Sequence, residues 1–239
     1  MHKPDKSFEL RVERRWDAFQ RRRDPAVDLV ALKAQVERQL QALISEAQPY
    51  IRVGLPVLAQ VISSKRFKSV WETSKSRGIV DLPARGCVET NLLGYPPLTP
   101  KSSRPIYGYL ADDPFCDYEL YGYGELAVQF KRGVLEHATF CVGDSLEGTQ
   151  GGVEPRFYPS SPLSPSPYSA AGGIVPEILE IARISDCTEV FELQIEVPVR
   201  ASDIEMVWYE HQPPAPYAPV DQVELQKILK RGNLVSQGR

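Results

Sequence analysis

Glu192, Gln194 and Glu196 alternate along the run VFELQIEVPV that begins at Val190. An extended strand sends every second side chain to the same face. These three polar groups therefore share one face, while Phe191, Leu193, Ile195 and Val197 share the other. Such a face is either the solvated side of an antiparallel sheet or the floor of a cleft. On a cleft floor, Gln194 and Glu196 could act together. A carboxylate beside a sugar stabilises an oxocarbenium-like transition state, and a neighbouring polar group positions the nucleophile.

Three further clusters carry chemistry. The run TFCVGDS from Thr139 to Ser145 reads as a strand ending in a Gly-Asp turn. Its hydroxyls, on Thr139 or Ser145, suit the orientation of a carboxylate or a ligand. In RPIYGYL, Arg104 stands at the start of a strand that holds Tyr107, Gly108 and Tyr109. A guanidinium there either faces solvent or grips a phosphate bidentately. A glycine inside a strand marks a close approach by backbone or ligand. Tyr118, Tyr121 and Tyr123, with Gly122 and Gly124, add an aromatic patch suited to stacking or to packing. The polar run RFKSVWETSKSRG, followed by Arg85 and Glu89, reads as a phosphate- or ribose-contacting loop or as a solvated hairpin.

Other chemistries find no support. There is no GxGxxG, no GxxxxGK[ST] and no GxSxG. Cys87, Cys116, Cys141 and Cys187 include no CxxC pair, and His2, His137 and His211 are isolated, so no metal site is expected. Four cysteines in 239 residues are too few for a disulfide scaffold, and reduced thiols in the cytoplasm are the simplest reading. No apolar run reaches the ~18 residues that would span a membrane, and no signal peptide is visible. At a net charge of −3, a surface that grips nucleic acid along its whole extent is not expected. The charge is uneven: residues 1–23 carry a net +4, a solvated helix face or a docking surface for an acidic partner or nucleic acid.

Hydrophobic residues make up 42% of the chain, enough for a sizeable core in one or two domains. Phe8, Val12, Trp16 and Phe19 recur at helical spacing, as do Leu29, Leu32, Val36, Leu40 and Leu43 after Asp24-Pro25. With a short helix over 57–65, they predict an all-helical N-terminal part of about 60 residues. From Phe67 onward, short β-branched and aromatic runs alternate with Gly, Pro and Ser clusters. Strands are expected over 106–110, 126–131, 138–142 and 190–199. Helices are expected over 176–184 and 221–231. Residues 149–173, with five prolines, read as a long loop or lid centred on 155–169.

The order RFKSVWETSKSRG, RGCVETNLLGY, RPIYGYL, YGELAVQFK, ATFCVGDS and ELQIEVPVRASDIEMVWY resembles a family of ADP-ribosyltransferase-like domains. These occur in bacterial polymorphic toxins and in phage head-associated proteins. The resemblance covers roughly residues 66–209 and extends to the wider Arg–Ser–Glu class of ADP-ribosyltransferases. It implies an α+β fold, with a split β-sandwich core over 63–239 and a helical N-terminal subdomain over 1–62. NAD, as substrate, would lie in the cleft of that core.

Within the resemblance, Glu196 matches the catalytic glutamate and Gln194 the first member of a Gln-x-Glu pair. Thr139 or Ser145 stands where the Ser/Thr motif belongs. Arg104 is the best match to the NAD-binding arginine, with Arg66, Arg77 and Arg85 as competitors. Tyr107 and Gly108 would line the cofactor site. The implied activity is mono-ADP-ribosyl transfer to a macromolecular acceptor, a protein side chain or a nucleic-acid base, by a toxin or effector. It would act in the cytoplasm or after delivery into a target cell, with an immunity or regulatory partner in view. Gln-x-Glu rather than Glu-x-Glu argues against arginine as the target. The alternatives are an NAD glycohydrolase, or a phage-derived interaction module on the same fold without activity.

Overall fold

The computed structural model describes residues 31, 46–74, 82–91, 95–117, 119–140, 191–195 and 198–239. Apart from Ala31, the expected helices before residue 46 lie outside the described residues, as do the helix over 176–184, the lid over 155–169, Ser145 and Glu196.

The described part is an α+β unit built on one seven-stranded, mostly antiparallel sheet. Its strands are β1 (Gln48–Val53), β2 (Ile106–Ala111), β3 (Leu126–Phe130), β4 (Ala138–Phe140), β5 (Phe191–Ile195), β6 (Ile204–Tyr209) and β7 (Ser236–Gly238). They lie in the order β4-β5-β2-β1-β3-β6-β7, and only the β6–β7 pair is parallel. The helices are α1 (Leu55–Ser64), the single turn α2 (Val70–Thr73), α3 (Leu82–Asn91) and α4 (Gln222–Gly232).

The helical reading of the first 60 residues fails at QPYIRV, which forms the central strand β1. Pro49 stops helix by lacking an N–H, and Tyr50, Ile51 and Val53 favour a pleated surface. Pro49 is tolerated in the strand because the ladder to β3 begins one residue later, at Tyr50. The boundary expected between residues 62 and 63 falls inside α1, which shares the core of the sheet.

Strand alternation divides the sheet into two unlike faces. One is apolar: Val53, Ile106, Leu110, Leu126, Val128, Phe130, Leu193, Ile195 and Val207 pack with Leu58 and Val61 of α1 and Leu225, Ile228 and Leu229 of α4. The final helix forms as the sequence indicates. Asp221 caps it by accepting from the Glu224 N–H at 3.0 Å, and Asn233 ends it in a left-handed turn. The other face holds Tyr50, Arg52, Tyr107, Tyr109, Glu192 and Gln194. It is covered by α3 and by the aromatic group Phe115, Tyr121 and Tyr217. Arg52 is fixed there, between the rings of Phe115 and Tyr121, by two bonds to the Gly124 carbonyl at 2.7 and 2.9 Å.

Observed strands match the expected ones to within a few residues for β2, β3 and β4, although residues 141–142 fall outside the described part. β5 ends at Ile195 among the described residues, and residues 198–199 are not strand. Helix α3 and strand β6 stand where no separate element is predicted. α2 occupies part of the run 66–78 expected as a loop or hairpin; residues 75–78 of that run lie outside the described residues.

Candidate active site

The candidate residues gather on the polar face at β2, β5 and β4. Register places Tyr107 opposite Gln194 on one side and Thr139 opposite Gln194 on the other. The tyrosine, glutamine and threonine positions therefore form one row across three strands. Gln194 is 2% exposed, so the face is covered, and the solvated alternative fails at this position. Its amide donates to the Glu192 carboxylate at 2.7 Å, which joins two members of the alternating polar series.

Helix α3 supplies the charge. Arg85 and Glu89, one turn apart, reach the same side of the helix. Arg85 is 5% exposed; its guanidinium lies 3.9 Å from the centre of the Tyr107 ring and 3.6 Å from the Glu192 carboxylate. Gly86 lets the helix approach Trp71. A methyl group there would stand 3.3 Å from the indole ring.

Glu89, fully buried, is the hub of the cluster. One carboxylate oxygen accepts from the Trp71 indole N–H and the Tyr107 hydroxyl, each at 2.8 Å. The other pairs with Arg104. Burial, with Glu89 and Glu192 adding and Arg85 opposing, pushes the Tyr107 phenol well above its ordinary pKa. Tyr107 is therefore a hydroxyl donor to Glu89.

Arg104 is thus committed within the fold. Besides Glu89 it donates to the carbonyls of Pro97 at 3.0 Å and Thr99 at 3.4 Å, and it lies 4.4 Å from the centre of the Trp71 ring. Of the competitors, Arg66 is tied to Glu72 by two bonds of 2.6 and 2.9 Å, and Arg77 lies outside the described residues. Among the described candidates, Arg85 lies against Tyr107 of the Gln194 row.

Gly108 serves the backbone. A methyl group there would lie 2.2 Å from the Tyr50 carbonyl oxygen, so the glycine permits β2 to close on β1. Thr139 joins the row through its strand; Ser145 and Glu196 fall outside the described residues. Trp71, Glu89 and Glu192 complete the cluster. Arg85 and Glu89 carry a readable signal, a charged pair at helical i,i+4 spacing. It is masked in LPARGCVETN by proline, glycine and β-branched residues of low helix propensity.

A separate cleft of about 640 Å³ opens on the polar face at β1, β3 and β6, lined by Tyr50, Gln129, Lys131, Arg132 and Trp208. It lies three strands from Gln194, or about 14 Å at ordinary strand spacing. Among the described residues no helix is long and apolar enough to cross a membrane. No family model matches this chain, and no curated protein matches it with significance.

Proposed function

We propose that the protein is a mono-ADP-ribosyltransferase. It moves ADP-ribose from NAD to a macromolecular acceptor, on a split β-sandwich whose NAD cleft includes the polar cluster. The observation that carries this reading is the register across β4, β5 and β2. It sets positions 139 and 107 on either side of Gln194, two residues before Glu196.

Arg85, which lies against the Tyr107 ring and beside the Glu192 carboxylate, takes the diphosphate of NAD. The Tyr107 ring is the platform beneath Arg85. The Glu196 carboxylate accepts from the ribose 2′-hydroxyl and stabilises the positive charge that grows on the sugar. The bond between ribose C1′ and the pyridinium nitrogen breaks, and its electron pair leaves with neutral nicotinamide. The acceptor's nucleophile bonds to C1′ and gives up its proton. Gln194, whose amide is held by Glu192, braces the strand that leads to Glu196.

The test is incubation of purified protein with biotin-labelled NAD and a total cell lysate divided into protease-treated and nuclease-treated portions. Glu196→Ala is the control. Label that depends on Glu196 and disappears in one portion supports transfer and gives the acceptor's class. NAD loss without label would replace transfer by glycohydrolysis. Neither label nor NAD loss would refute the enzymatic reading.

A further inference from the structure

The cleft at β1, β3 and β6 takes no part in the chemistry above, and its lining is of two kinds. Tyr50 and Trp208 give it aromatic surface, and Lys131, Arg132 and Glu205 give it charge. Tyr50 pairs with Gln129, and Trp208 with Ala127 two residues earlier in β3, so all three project from the polar face. The ladder shifts between Gln129 and Phe130, which makes Glu205 the extra residue of β6. Lys131 and Arg132 follow β3 directly.

We propose that this cleft binds a nucleoside monophosphate unit, its base stacked on Trp208 and its phosphate held by Lys131 and Arg132. The indole is fixed for stacking. Its N–H donates to the Gln129 side-chain carbonyl at 2.8 Å, and the Gln129 amide donates to the Glu205 carboxylate at 3.4 Å. The ring packs on the aromatic group of the polar face yet stays half-buried, which leaves ring surface for a base. The cations are held beside it. Arg132 donates to the Ala47 carbonyl at 2.6 Å. Lys131 is exposed and gives the Ser202 carbonyl one of its three protons, at 2.8 Å. Two cations against the Glu205 carboxylate leave one net positive charge, which suits the single phosphate of a nucleotide unit better than a polyphosphate. The volume of about 640 Å³ lies within the ~300–1,000 Å³ usual for small-molecule sites. The unit is either a free nucleotide or one residue of a single strand, whose base faces are open to stacking. The inference does not use the transferase reading.

The experiment is isothermal titration of the full chain with AMP, adenosine, inorganic phosphate and single-stranded oligoadenylate. AMP should bind about tenfold more tightly than adenosine or phosphate, because it alone engages both kinds of lining. Trp208→Ala should weaken AMP about tenfold, the scale of one base–aromatic stack. Lys131→Gln, an exposed change that serves if Trp208→Ala does not fold, should weaken AMP several-fold and leave adenosine unchanged. Tighter binding of oligoadenylate than of AMP, with a salt dependence that falls in Lys131→Gln, supports a strand as the source. Binding of AMP without oligoadenylate supports a free nucleotide. Absence of both in wild type would overturn the proposal. So would unchanged AMP affinity in either variant with a native melting profile, since AMP bound at the Arg85 cluster instead would not respond to Trp208 or Lys131.

Discussion

Glu89 is the most exacting point in the fold, because a fully buried carboxylate holds three donors. Truncation to alanine leaves the Arg104 guanidinium buried without its counter-ion, a loss of about 3–5 kcal/mol. It also leaves the Trp71 N–H and Tyr107 O–H without an acceptor, at about 1–3 kcal/mol each where nothing replaces it. These losses overlap, but their sum rivals the ~5–15 kcal/mol that keeps a domain folded. The usable variant is therefore Glu89→Gln, which keeps volume and one carbonyl acceptor. A loss of about 3 kcal/mol would lower the melting temperature by about 6–12 °C at this chain length. Arg104→Met removes the other charge while keeping the stem. In urea unfolding followed by circular dichroism, the double variant should be about 2–3 kcal/mol more stable than the two single losses imply. A coupling within about 0.5 kcal/mol of zero would refute the pairing.

Gly108→Ala would place a methyl group 2.2 Å from the Tyr50 carbonyl oxygen and should cost at least ~1–3 kcal/mol by forcing β2 from β1. Gly133→Ala, with nothing within 4 Å, should stay within about 0.5 kcal/mol of wild type; equal urea midpoints for the two would contradict the close approach. The Arg66 hydrogen bonds hold the Glu72 carboxyl below its ordinary pKa. Its contribution is therefore full above the unfolded value of ~4.3 and is lost as pH falls through the lower folded value. Glu72→Gln should flatten that acid limb, by a small amount because Arg66 is partly exposed; parallel curves would contradict the pairing. Burial, with Asp117 and Asp113 adding, pushes the Cys116 thiol up to about 11. Its alkylation rate should keep climbing through pH 10, and a plateau near pH 9 would count against this environment.

The sheet was legible where pattern and placement agree. The alternation of VFELQIEVPV puts Leu193 and Ile195 in the core and Gln194 on the polar face. The Asp221 cap marks the last helix, and Gly108 in its strand signals the close approach of β1. The rest depends on tertiary context. QPYIRV is short, opens with Gln-Pro and follows a helical pattern, yet its neighbours β2 and β3 make it the central strand. LPARGCVETN has weak helix propensity and is stabilised instead by the contacts of Arg85 and Glu89 with the sheet. The pairing of Arg104 was not legible, because it turns on Glu89, a carboxylate 15 residues away that only the fold brings to its guanidinium. Trp71 and Glu89, 18 residues apart, meet only when α2 packs beside α3.

The most direct measurement is nicotinamide release from NAD by purified wild type, Arg85→Gln and Glu196→Ala, each first shown to be folded by circular dichroism. If Arg85 holds the diphosphate and Glu196 stabilises the departing sugar's charge, wild type releases nicotinamide. Glu196→Ala then lowers kcat by at least about 10²–10³-fold, and Arg85→Gln acts mainly by raising KM. Release that is absent in wild type, in the presence and absence of lysate, or that proceeds equally in all three proteins, would contradict the proposed chemistry.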